Sequence, residues 1–443
     1  MTASCSNVRW VLIFWLFLLS AVAYLDRVNI SVAGSSIAST YGLSNIQLGW
    51  IFSAFLVGYA LFQTVGGYLA QRFGPRRVLA GGVFWWGIFT AVTASIPAGI
   101  GSALYLFMAV RFLLGAGEAV VYPASNQFIA QWIPKQERGI ANGWIFAGVG
   151  AGAGFAPPLV TYIIIRHGWR TSFWVCAVIG FIAGTIWYLL ARDMPGEHPH
   201  VSTLELARIE AGRSLPATQE RESQKLSWRA VLASKTVLAV SLSYFCYGYV
   251  AWIYFSWFYI YLAQARGLNL KASALYAMLP FIAMAVCCLI GGTLNDRFSK
   301  RCGLRVGRSL LACVAIFAAG AFLAFGSEVS SARVASIVLA GGAGALYLSQ
   351  SSFWSVTVDI AGRHAGPISG FMNMANQIGG AVTSSLTPVI AKHFGWTASF
   401  LVAASLCVVG ALAWLAVDPE RQLLPAASPA KLAAVTSMKD VQS

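Results

Sequence analysis

The sequence predicts an all-α polytopic membrane protein of twelve transmembrane helices in two six-helix halves. Three observations carry that reading: an apolar excess too large for a water-soluble chain, twelve runs long enough to cross a bilayer, and short motifs repeated at one offset. Of the 443 residues, 58% are hydrophobic and 10% charged, with a mean hydropathy of +0.69. A soluble domain carries about 25% charged residues. A hydrocarbon core of roughly 30 Å takes about 20 apolar residues per helix, which sets the length of each predicted span.

On that ruler the first six spans begin near Val8, Asn45, Arg77, Ser102, Arg138 and Arg170. The second six begin near Thr236, Ala272, Gly307, Ala332, His364 and Trp396. The run from Val11 to Ala23 has the form of a signal-peptide core, but eleven similar segments follow, so it reads as an uncleaved span. Basic residues then set the orientation. Arg72, Arg76 and Arg77 follow span two, Lys135 and Arg138 follow span four, and Arg297, Lys300, Arg301, Arg305 and Arg308 follow span eight. The loops after spans one and three carry no charge, so the positive-inside rule places both termini and the long central loop in the cytoplasm. Arg166, Arg170, Arg266 and Lys271 on the outer side weaken this asymmetry without reversing it. The net charge of +15 is accordingly read as orientation and contact with anionic lipid, with no nucleic-acid partner.

The two halves follow from the repeats. "GGYLAQRFGPRRVL" from Gly66 returns as "GGTLNDRFSKRCGLRVGRSLL" from Gly291, an offset of 225 residues. "GWRTSF" at Gly168 returns as "GWTASF" at Gly395, and "GIANG" at Gly139 as "GPISG" at Gly366, both offset by 227. Parallel repeats around a midplane site are common in secondary transporters. The predicted units are an N-terminal half (1–191), a cytoplasmic linker (192–235), a C-terminal half (236–420) and a cytoplasmic tail (421–443). The linker holds six acids, seven bases and two histidines. Within it Ser202 stands three residues before Glu205, a capping-box pattern that predicts a short amphipathic helix on the cytoplasmic face with no chemistry of its own.

Sites for enzyme chemistry are missing from the sequence. Seven of the eight cysteines fall in or beside spans without metal-ligand spacing and read as packing residues in a reduced environment. The Gly-rich "GVGAGAGFAPP" lacks the strand and the Lys-Ser/Thr pair of a phosphate loop, and its small residues suit close helix packing. No HExxH, nucleophile elbow or Walker pattern occurs. The expectation is a protein that is not an enzyme, holds no metal or cofactor, and is driven by ion or substrate gradients.

Four ionisable residues fall well inside spans: Asp26, Arg27, Arg111 and Glu118. Each costs about 2.5 to 3.5 kcal/mol at the bilayer centre, so they are expected to face a shared interior. Asp26 lies 17 residues from Arg9 and Glu118 lies 17 from Lys135, which puts both carboxylates roughly 26 Å from their inner flanks. Arg111 and Glu118, seven apart, share a helix face. One reading makes these residues two buried ion pairs holding spans one and four together. The other makes them a proton switch: an anion that draws an arginine away leaves its carboxylate ready to take a proton. Arginine suits the anion because its planar fork grips a carboxylate by two hydrogen bonds and keeps its charge. The residues alone leave open which arginine meets the substrate.

The ordered set "YLDRVN", "FSAFLVGYALFQTVGGYLAQRFG", "RFLLGAGEA", "EHPHVSTLEL" and "SGFMNMANQIGG" resembles the anion:cation symporter family of the major facilitator superfamily, whose members include bacterial sugar-acid permeases. The resemblance covers nearly the whole chain. It implies proton-coupled symport of a small organic anion by alternating access, from a monomer in a bacterial inner membrane. It assigns the substrate carboxylate to Arg27 and proton coupling to Asp26 and Glu118, with Arg111 as their internal partner. Tyr24, Tyr59 and Gln63 match positions near the family's cavity, while Ser351, Trp354 and Asn373 match a cluster that binds the polar end of the substrate. Tyr247, in the aromatic span seven, is a candidate gate. Taken alone, each of these residues also reads as helix packing or an interfacial aromatic.

Four departures qualify the match. Gln71 stands where the first loop signature has an acid, which Asp296 keeps in the second copy, so the first latch is expected to be weaker or to use another residue. Tyr259 replaces the proline of a Trp-Phe-Pro pattern. Phe353 replaces a small hydroxyl residue, and glycine near Gly148 replaces a glutamine, both relative to galactonate permeases. Losing these hydrogen-bond partners argues for a less hydroxylated or more aromatic acid than a galactonate. No N-x-Ser/Thr sequon lies in an outer loop, which fits a bacterial protein. Two other functions remain open at this level: an anion exporter or exchanger, and a non-transporting membrane sensor on the same fold.

Overall fold

The computed structural model describes residues 6–212, 226–258, 261–268 and 270–423. Tyr259, part of the linker and most of the tail lie outside them. Among the described residues the chain is helical, with no strand. Span one is Val8–Tyr41, span two Asn45–Phe73, span three Pro75–Ser95, span five Arg138–His167 and span six Trp169–Leu190. In the second half, span seven is Lys235–Ser256, span eight Leu270–Cys302 and span nine Leu311–Glu328, the last preceded by a π-helical turn at Arg305–Leu310. Among the described residues, eleven helical stretches are long and apolar enough to cross a membrane. The predicted eleventh and twelfth spans are two arms of Ala365–Ala413, which turns at Gly395, and the first arm is the more polar.

Glycine explains why the repeats recur where they do. Gly168 (φ 83°) and Gly395 (φ 84°) turn the chain between spans five and six and between eleven and twelve. Side chains beyond Cβ-less glycine disfavour that backbone region. Gly74 (φ 88°), followed by Pro75 at the first helical position, does the same between spans two and three.

Spans four and ten are each broken. Span four runs Ala103–Glu118, pauses, and resumes as Val121–Trp132. Pro123 accounts for the pause, because it donates no amide proton and its ring crowds the carbonyl four residues back, at Ala119. Span ten runs Ala332–Leu348 and Gln350–Ala361 around Ser349, whose hydroxyl turns back to the Leu346 carbonyl at 2.6 Å. Both breaks lie deep in the bundle. Non-helical backbone is tolerated at that depth only where protein or a cavity covers it.

Hydrogen bonds between the halves gather toward the end of the bundle that carries the basic loops. Asn126 donates to Thr357 Oγ1 at 2.9 Å, Asn142 to Ser355 at 3.3 Å, and Arg138 to Asp359 at 3.0 Å. Asp296 accepts from the Gly139 and Ile140 amides, at 2.9 and 2.7 Å, where span five begins. Arg308 bridges Asp296 and Asp359 at 3.0 and 3.1 Å, completing a buried network of two acids and two bases. Gly139 makes the crossing possible: a Cβ there would meet Asp296 Oδ1 at 2.6 Å and the Gly292 carbonyl at 2.8 Å. The basic end is therefore closed. In the first copy, Gln71 bonds His364 Nδ1 at 2.8 Å beside the start of span eleven.

The linker helix Thr203–Ala211 forms as predicted, and Ser202 caps it by accepting from the Glu205 amide. Glu205 departs from the capping-box expectation. Its fully buried carboxylate accepts from Ser6 Oγ (2.5 Å), the Val8 amide (3.1 Å), the Arg9 amide (3.2 Å) and the Arg9 guanidinium (2.9 Å). It caps span one rather than its own helix, and an acid at that position also suits the helix dipole. Glu137 joins the same group by accepting from Arg9 and Arg208.

Candidate functional site

Arg27 and Glu118 meet at the middle of the first half. Arg27 Nε donates to Glu118 Oε1 at 2.5 Å, with side chains 6% and 1% exposed. Glu118 ends the first segment of span four, so the break after it presents the carboxylate at the segment's C-terminal edge. The guanidinium lies over the rings of Tyr59 (4.4 Å), Tyr24 (4.5 Å) and Phe55 (5.3 Å), an aromatic cradle that favours a cation. Its Nη1 and Nη2, and Glu118 Oε2, are buried without a hydrogen-bond partner. A native interior leaves few polar atoms in that state.

Asp26 and Arg111 form the second part of the cluster. Thr90 on span three donates to Asp26 Oδ2 at 2.5 Å, while Oδ1 has no partner. Arg111 lies against the Phe55 ring at 4.8 Å, its Nε and Nη1 unpartnered, and makes no ion pair within 4.0 Å among the described residues. Thr90 escaped the sequence reading, although it stands 15 residues from Pro75, about the depth already reckoned for the two acids. Tyr122 escaped it as well. It bonds Ser20 at 2.9 Å and contacts Trp354 across the halves at 5.8 Å between ring centroids.

The second half supplies aromatic and neutral polar groups. Trp354 Nε1 and Gln350 Nε2 both donate to Tyr244 Oη, at 2.9 and 2.8 Å. Tyr247 packs on Tyr244, Tyr347 and Phe353, and its hydroxyl has no partner; neither has Ser351 Oγ or Gln350 Oε1. Asn373 donates to Gln63 Oε1 at 2.9 Å, so two residues expected at the substrate also join spans two and eleven. Tyr59 Oη and Gln63 Nε2 are unpartnered. Phe353 is fully buried between Tyr244 and Trp414. Gly148 is a contact position: a Cβ there would press on the Phe17 carbonyl and on Ser20 Cβ at 2.9 Å, so a glutamine would require span one to move. The described cysteines are all free, and no group of acids, cysteines or histidines among the described residues is arranged to hold a metal ion.

Residues 16–384 match the family model of the Major Facilitator Superfamily. The chain is 34% identical over 400 residues to a probable sulfoacetate transporter of Cupriavidus necator, spanning 90% of this chain and 91% of that protein. It is 28% identical over 406 residues to the hexuronate transporter of Bacillus subtilis, spanning 90% and 92%. In three dimensions it is similar to the proton:xylose symporter XylE bound to 6-bromo-6-deoxy-D-glucose, with a TM-score of 0.72 and 19% identity over 92% of this chain and 95% of that one.

Proposed function

The chain belongs to the major facilitator superfamily, and from that premise we propose that it is a proton-coupled symporter of a small organic anion that works by alternating access. It is a multi-pass transporter and not an enzyme, and the relatives named above include carriers of organic anions. The proposed setting is a bacterial inner membrane, with both termini in the cytoplasm and the monomer as the working unit. The proposed units are the halves 1–191 and 236–420, joined by the linker 192–235.

One observation carries the proposal: Arg27 holds Glu118 through Nε alone, leaving Nη1 and Nη2 buried and unpartnered. Those two nitrogens form the edge of the fork that takes a carboxylate bidentately. An anion seated there sets a second negative charge beside Glu118. Two acids sharing one arginine in a buried site relieve their repulsion when one takes a proton. Glu118 protonates, the loaded site is no more charged than the empty one, and the halves can rock around it. Asp26 is the second proton-carrying group, positioned by Thr90, with Arg111 balancing its charge. Tyr24, Tyr59 and Gln63 line the carboxylate side, and Tyr247, Ser351, Trp354 and Asn373 read the rest of the molecule. On the closed basic end, the Asp359 and Asp296 network is the barrier that must part for release.

The test is uptake of labelled D-glucuronate and other organic acids into proteoliposomes under an imposed pH gradient, acid outside. Accumulation that collapses with the gradient, and that Arg27→Ala abolishes while the variant still folds, supports the proposal. Uptake indifferent to both the gradient and Arg27→Ala refutes it.

A further inference from the structure

We propose that the crevice between spans two and eleven is a binding site for one lipid acyl chain of the outer leaflet, and that a chain seated there holds the outer ends of the two halves apart. The site stands on packing alone; its effect on the halves rests on the alternating-access reading.

Spans two and eleven run antiparallel and press together on their inner stretch. There Gln71 bonds His364, Gly67 lies against the Gly366 carbonyl, a Cβ on Gly370 would meet the Gln63 carbonyl at 2.5 Å, and Gln63 bonds Asn373. Outward of that last pair a groove of about 640 Å³ opens between the two helices. Leu56 and Ala60, both buried, form its back, while the exposed Val57 and Leu61 of span two and Ile378 and Val382 of span eleven form its mouth. The matching seam has no such gap at this level. A Cβ on Gly150 of span five would press on span eight at the Phe281 carbonyl (2.5 Å) and the Ala285 nitrogen (2.7 Å). Gly150 stands 12 residues from Arg138 and Ala60 stands 13 from Phe73, roughly 18 and 20 Å from the inner ends of their spans.

Depth, exposure and lining identify the occupant. Leu56 is 17 residues from Phe73, roughly 26 Å, which is inside a hydrocarbon core of roughly 30 Å and on its outer-leaflet side. The mouth opens on a lipid-facing flank: Ile378, Val382, Leu386 and Val389 recur at helical spacing and are exposed, whereas Asn373, Gln377 and Thr383 of the same arm are buried. No charged side chain lines the groove, and Gln377 and Ser385 are its only polar ones, which suits neither a headgroup nor a file of ordered water. Left empty, its walls would forfeit dispersion contacts, and the bilayer supplies flexible methylene chains at that depth. Each wall belongs to a different half. Closing the outer side brings spans two and eleven together and erases the groove, so a chain that binds only the parted arrangement shifts the population toward it.

The test places the full-length chain in nanodiscs of phosphatidylcholine bearing a photoactivatable diazirine at mid-chain, and maps the labelled residues by mass spectrometry. Leu56 should be labelled at least as strongly as Val314 and Phe317, which are exposed on span nine. In Ala60→Phe/Ala381→Phe, which fills the groove and leaves no room for a chain, its labelling should fall about fivefold. Labelling confined to the mouth, or unchanged in the filled variant, means annular lipid only and overturns the site. If that variant fails to fold, wild-type labelling of Leu56 against the span-nine residues decides. The effect on the halves is read as the distance between spin labels on a ketone-bearing residue in place of Trp50 and of Val389, in glyco-diosgenin, whose hydrophobe is a rigid fused ring. Added phosphatidylcholine should raise the long-distance population about twofold, while the filled variant shows that population with or without lipid. A distribution indifferent to lipid, with Leu56 labelled, overturns the wedge and leaves the site. Neither readout involves an anion or a proton gradient, so failure of the symport reading is scored separately.

Discussion

Replacing Glu118 with glutamine keeps a side chain of the same shape, and an acceptor for Arg27 Nε, but removes the charge. In the wild type the carboxylate 2.5 Å from the guanidinium stays in place beside the incoming anion, with both side chains almost fully buried. Two like charges about 6 Å apart at an effective dielectric of 20 repel by about 3 kcal/mol. Glu118→Gln removes that repulsion and keeps a neutral hydrogen bond to Arg27; half of it, about 1.4 kcal/mol, is a tenfold gain in affinity. Affinity for D-glucuronate, measured by calorimetry between pH 5.5 and 8, should therefore rise as pH falls in the wild type. In Glu118→Gln it should be tighter at pH 7.5 and flat across the range. In proteoliposomes the variant should keep counterflow exchange and lose gradient-driven accumulation. A variant that still accumulates its anion uphill, with the pH dependence of the wild type, would refute the coupling argument.

Three further outcomes follow from the contacts. Asp359→Ala removes the shared acceptor of Arg138 and Arg308, both fully buried, and is expected to cost roughly 3 to 5 kcal/mol of stability at the closed end, read as a lower melting temperature and as readier labelling of cysteines introduced there. Glu205→Ala leaves the Val8 and Arg9 amides and Arg9 Nη1 without their acceptor, while Arg9 Nε keeps Glu137; a loss of roughly 1 to 3 kcal/mol should show as faster tryptic cleavage in the linker, with transport chemistry intact. Thr90→Val removes the hydrogen bond to Asp26 and should move the pH profile of uptake, whereas Thr90→Ser should leave it in place.

Helix placement was legible because hydropathy and depth are one-dimensional. Span starts expected at Val8, Asn45, Arg138 and Ala332 are the starts observed, and counting residues from Arg9 and Lys135 set Asp26 and Glu118 on one level. Pairing was not legible, because it depends on how each helix is rotated about its axis. Seven-residue spacing put Arg111 on the face of Glu118, yet span one delivers Arg27 to that carboxylate instead. The breaks in spans four and ten vanish in a hydropathy average, although Pro123 marked one of them. Glu205 looked like a local cap because its spacing from Ser202 fits one; its actual partners lie almost 200 residues away in sequence. The glycine near 148 read as a lost hydrogen-bond partner, whereas the packing makes it the point where span five presses on span one.

The substitution at Gln71 has a mechanical side. The seam between spans five and eight is ionic, since the Asp296 carboxylate grips two amides and the Arg308 guanidinium braces it from behind. The seam between spans two and eleven is held by side-chain hydrogen bonds, Gln71 with His364 and Gln63 with Asn373. Two door leaves with the same hinges thus carry different locks. Neutralising an acid loosens one leaf and leaves the other shut, so the molecule would part along a tilted line rather than split symmetrically about its twofold repeat.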